Sequence, residues 1–190
     1  LRKCGNNIKE CQNYYNSNVR ELGELEKEML ESIINDFYNL LEPKLLYIFD
    51  SIKFIKVSNN IENSMPHTRG RAIVFSERYF NRLLGKYKLD KKFLKKDEDL
   101  IKLISHEQFH IFQRYNADKI KTFYRNHWRL EELNSNLPPE IKNLVRANPD
   151  ALPDNNWLFR VSGNNYILPL CIYNSNNSEN INDTSNIYLS

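Results

Sequence analysis

The segment "KDEDLIKLISHEQFHIFQR", residues 96–114, limits what this chain can fold into more than any other stretch. Leu100, Leu103, Ile104, Phe109, Ile111 and Phe112 return at helical steps and put apolar surface on more than one side, the pattern of a helix that packs inside a domain. Asp97, Glu98 and Asp99 stand at its start, where carboxylates favour the positive end of the helix dipole. The sequence therefore predicts a buried helix over residues 96–114.

Within that helix lie His106 and His110. Residues i and i+4 share a helix face one turn apart, so both imidazoles can point at one spot. A tetrahedral metal asks this of two of its ligands. Glu107 is offset from His106 by one residue, about 100° around the axis. It stands beside such a metal rather than on it, placed to take the proton of a metal-bound water. An ordinary helix that happens to carry two histidines is the competing reading. Two imidazoles on an apolar helix would need polar partners, and that favours the metal.

"SHEQFH" resembles the HExxH helix of the zincin metallopeptidases. The resemblance implies His106 and His110 as zinc ligands, Glu107 as general base, Zn2+ as cofactor, and a peptide or protein as substrate. Gln113-Arg114-Tyr115-Asn116 follow where a metzincin would continue its pattern, so a gluzincin-like site with a glutamate as third ligand is expected. Glu131 and Glu132 lie at a compatible distance in the chain, on a helix expected over residues 118–134. At 100° per residue, Glu131 shares a side with Ile120, Tyr124 and His127, whereas Glu132 faces solvent. Glu131 is the preferred ligand; two solvated surface glutamates is the competing reading. Glu140 and a residue beyond Ser190 are further candidates. Tyr124, His127 and Tyr166 are candidate donors to an oxyanion, each also readable as structural. His67 and Arg69 stand in a loop before "RAIVFS", residues 71–76. That run is the expected strand bordering a substrate cleft, as in zincins.

The fold class expected is α+β, mainly helical and zincin-like, with a small mixed sheet packed on the HExxH helix. Leu22, Leu25, Met29, Ile33, Phe37 and Leu40 mark an amphipathic helix over 18–41. A strand falls within 45–57, a loop over 58–70, and a short helix over 77–85 closed by Gly85. Residues 138–153 hold four of the seven prolines and read as turns; Arg146 and Asp150 fit a turn-stabilising ion pair. Residues 1–173 form the expected domain, which the resemblance leaves open to being incomplete at its C-terminal end. Residues 174–190 are expected to be a polar, flexible tail.

Charge excludes little but is informative. With 27 basic and 24 acidic residues the chain is too balanced to suggest a nucleic-acid partner. The basic run at 85–96 meets acidic residues at once and reads as a self-compensating solvated face. No apolar run approaches the roughly 20 residues of a membrane span. Three cysteines make no disulfide framework, though Cys4 and Cys11 could pair in an exported protein. A secreted or periplasmic location is slightly favoured. The leading expectation is zinc-dependent peptide hydrolysis. The alternative is a catalytically inactive zincin-like binding protein or an effector domain.

Overall fold

The buried run at 71–76 is a strand, and the first part of the fold is assembled around it. The structure is a computed structural model that describes residues 7–133, 136–146, 156–175 and 183–189. The chain divides into two compact units, residues 1–112 and 113–190. Both helices and small sheets are present, an α+β arrangement.

The first unit holds α1 (Ile8–Asn18), β1 (Val19–Arg20), α2 (Glu24–Leu40), β2 (Phe54–Val57), β3 (His67–Arg69), β4 (Ala72–Ser76) and α3 (Glu77–Leu89). It also holds most of α4 (Glu98–Tyr115). Its sheet has the order β1-β2-β4-β3, with β2 and β4 parallel and the other pairs antiparallel. The sheet is thus mixed, as expected. Every residue of β4 is buried, because both faces of the strand are covered. Ile73 and Phe75 enter a core with Met29, Ile33 and Phe37 of α2, Phe80 and Leu83 of α3, and Leu100, Ile104 and Ile111 of α4. Val74 faces the other way, against Val57, Ile61, Tyr14 and Tyr15. A strand covered on both faces reads as a continuous apolar run rather than an alternation.

Local signals explain the helix boundaries. The Asn7 side chain accepts from the backbone of Lys9 and Glu10 at the start of α1, and Ser76 accepts from Tyr79 N–H at the start of α3. Glu26 of α2 accepts from Gly23 N–H at 2.9 Å and from Lys56 Nζ of β2 at 2.7 and 2.9 Å. That buried pair ties the helix to the sheet.

Several boundaries differ from expectation. The helix expected to stop at Gly85 continues to Leu89. Tyr87 extends the buried stripe of Phe80 and Leu83 past the glycine, so packing overrides a helix-breaking propensity. The expected loop at 58–70 contains β3. The basic run at 85–96 is compensated as expected: Lys86 pairs with Asp97, Lys91 with Glu28, and Lys96 with Asp90.

The second unit contains α5 (Ala117–His127), β5 (Glu131–Glu132), α6 (Pro139–Lys142), β6 (Trp157–Ser162), β7 (Asn165–Tyr173) and β8 (Thr184–Leu189). The four strands form an antiparallel sheet in chain order. Residues 184–189, expected within a flexible tail, pair along β7 from Leu168↔Leu189 to Tyr173↔Thr184. A polar strand can be held by backbone pairing alone, which composition does not reveal. Asp150 and Cys4 lie outside the described residues, so the pairings suggested for them with Arg146 and Cys11 do too. No helix among the described residues is long and apolar enough to cross a membrane.

The core placement of β4 predicts that Phe75→Ala, which empties a fully buried aromatic site, destabilises the chain by about 3–5 kcal/mol. Urea unfolding checks this. A loss below ~1 kcal/mol would contradict the packing described.

Candidate metal centre

On α4 the buried stripe runs Leu100, Ile104, Glu107, Gln108, Ile111. The apolar residues anchor the helix in the core. At the middle of the stripe, where another leucine would serve packing, stand a carboxylate and an amide. Glu107 is 5% exposed and Gln108 3%. Gln108 Nε2 donates to the Asp50 carbonyl at 3.1 Å. Burying such groups costs free energy that an apolar side chain would not, and departures of this kind concentrate at functional sites.

The rotation that buries Glu107 turns the two histidines outward. His106 is exposed and His110 half-buried. This corrects the expectation of two buried imidazoles: the helix buries one stripe and leaves residues such as Phe109 exposed. The expected convergence of the two rings is present. Their Nε2 atoms are 3.0 Å apart and the ring planes stand at 86°. That distance suits a hydrogen bond in which one ring donates and the other presents a lone pair. It is also close to the geometry of a shared metal. Zinc–nitrogen bonds of about 2.0–2.1 Å at a tetrahedral angle would set two ligand nitrogens about 3.3 Å apart.

The site is not complete within what is described. Among the described residues no group of three His, Cys, Asp or Glu side chains is arranged to hold a metal. Two imidazoles fit two coordination positions, whereas a closed or catalytic zinc site uses three or four protein ligands.

Glu131 is placed differently from expectation. The helix expected over 118–134 ends at His127, and Glu131 lies on β5. Arg129 takes a left-handed backbone with φ 56°, and Leu130 N–H returns to the Tyr124 carbonyl at 3.2 Å. The helix is thereby closed and the chain redirected. The helical argument that put Glu131 on an apolar face and Glu132 in solvent is reversed. Glu131 is exposed and accepts a hydrogen bond from Tyr166. Glu132 is partly sheltered and ion-paired to Lys121 at 2.7 Å and Arg125 at 2.6 Å, which hold its carboxyl below the usual range. Glu140 is exposed on α6.

The weaker candidates also have partners. Tyr166, hydrogen-bonded to Glu131, is held above the ordinary tyrosine value by that bond. Tyr124 accepts from Gln113 at 3.0 Å and stacks on Trp128, and His127 stacks on Phe123. His67 and Arg69 lie on β3, not in a loop. His67 is buried. Arg69 donates to Tyr15 at 2.6 Å and to Glu62 at 3.0 Å. Since β4 is flanked by β2 and β3, the run at 71–76 is central, and β3 forms the edge on that side.

Comparisons with known proteins add no identity. No family model matches the chain, and neither the curated proteins nor the solved structures give a match.

The geometry predicts that zinc broadens or shifts the ring-proton NMR signals of His106 and His110 together, at one stoichiometry, and that His110→Ala removes the response at His106. Independent responses of the two rings would contradict a shared site.

Proposed function

We propose that this chain is a zinc-dependent hydrolase of peptide bonds, with His106 and His110 as zinc ligands and Glu107 as the general base. The observation that carries this reading is the convergence of the two Nε2 atoms, 3.0 Å apart on one face of α4, beside a buried glutamate in the next position. The likeness of "SHEQFH" to the zincin helix supports it. When bound, zinc polarises a carbonyl and lowers the pKa of water towards neutrality.

Glu107 then has two tasks. It takes a proton from the water that attacks the scissile carbonyl, and it returns that proton to the leaving amine. The helix position suits both, since one residue of offset keeps the carboxylate off the ligand face.

A second reading is favoured by a specific observation. No three-residue metal group is found among the described residues, as a zincin-like protein that binds without hydrolysing would have it. An effector domain acting on another protein would share the first chemistry and differ in target.

Zinc content and peptide cleavage together separate these readings. Under the hydrolase reading Glu107→Gln lowers kcat by about 100-fold or more and leaves zinc content unchanged. Zinc-loaded protein that cleaves no member of a diverse peptide library would support the binding-protein reading. Full cleavage after chelation would defeat both.

A further inference from the structure

The second unit carries a charged cleft of its own. It has a volume of about 740 Å³ and is lined by Arg125, Arg129, Leu130, Glu131, Glu132 and Arg160. Small-molecule sites commonly fall between roughly 300 and 1,000 Å³. The lining residues come from the end of α5, the turn after it, β5 and β6. The pairing Glu131↔Leu158 brings the two strands together.

The charges of this cleft are not balanced within it. Glu132 already has two cations, Lys121 and Arg125, and Glu131 is held by the Tyr166 hydroxyl. Arg160 spends only its Nε, which donates to the Gly163 carbonyl at 2.6 Å. Its other guanidinium nitrogens make no further hydrogen bond to a described residue, and Arg160 lines the cleft. Arg129 makes no hydrogen bond or ion pair with any described residue.

The backbone of Arg129 is a second, independent indication. Its φ of 56° is the left-handed conformation that glycine and asparagine adopt most readily at a helix end. Arginine gains nothing there from local geometry. The cationic complement of the helix dipole is already supplied by Arg125 and His127 in the last turn. An arginine standing at a position suited to glycine points to a use for its guanidinium.

We propose that this cleft binds the phosphate group of a small phosphorylated molecule or free phosphate, gripped by Arg129 and Arg160. Guanidinium groups match a phosphate's oxygens with paired hydrogen bonds, and Arg125, Arg129, Arg160 and the nearby Lys121 outnumber Glu131 and Glu132 by two charges, the charge of a phosphomonoester dianion. The apolar side chain of Leu130 and the remaining volume leave room for the body of the ligand. The proposal does not rest on the zinc-hydrolase reading.

The test is isothermal titration of the full chain at low ionic strength with inorganic phosphate, adenosine 5′-monophosphate and adenosine as probes. Phosphate and the monophosphate are expected to bind saturably and adenosine not. A tighter monophosphate assigns a phosphorylated small molecule, and equal affinities assign free phosphate. Arg129→Gly, which suits the observed φ, is expected to keep the fold and weaken phosphate binding about tenfold or more. Arg160→Gln is expected to do the same. The proposal is overturned if neither probe phosphate saturates, if adenosine binds as well as its monophosphate, or if both variants bind as the parent does.

Discussion

The setting of α4 in its core decides the metal centre proposed for this protein. Leu100, Ile104 and Ile111 share one apolar cluster with Ile73 and Phe75 of the sheet and Phe37 of α2. Because a helix presents its side chains at fixed angular steps, these anchors determine where every other residue of α4 points. They bury Glu107 and Gln108 and turn His106 and His110 outward together. The arrangement of the His–Glu–His set is therefore a product of ordinary hydrophobic packing. The core also resists rotation of the helix, since turning the histidines elsewhere would pull Ile104 or Ile111 into water at roughly 1.5–3 kcal/mol each.

How well the sequence revealed this follows the distance over which each feature is determined. The helix over 96–114 was legible because apolar periodicity and an acidic first turn are local signals. So was the pairing of His106 with His110, since i,i+4 geometry needs no tertiary information. The strand at 71–76 followed from its apolar run, but its place at the centre of the sheet did not. A strand buried by neighbours on both sides and a strand beside a cleft look alike until their partners are known.

The second unit shows where that reasoning ends. The pattern Ile120, Tyr124, His127, Glu131 continued a helix on paper. The chain leaves the helix at Arg129, which has no glycine or proline to signal the turn. The exposures of Glu131 and Glu132 were consequently reversed. Likewise β8 is built from a polar sequence that pairs by its backbone. The cleft of Arg125, Arg129 and Arg160 joins residues 35 positions apart, across a strand pairing no local pattern announces.

The central claim is that His106 and His110 hold one zinc ion. Zinc K-edge X-ray absorption on the loaded protein tests it most directly. The account predicts two imidazole nitrogens at about 2.0–2.1 Å, falling to one in His110→Ala. A spectrum fitted by oxygen ligands alone, or unchanged by the substitution, would contradict it.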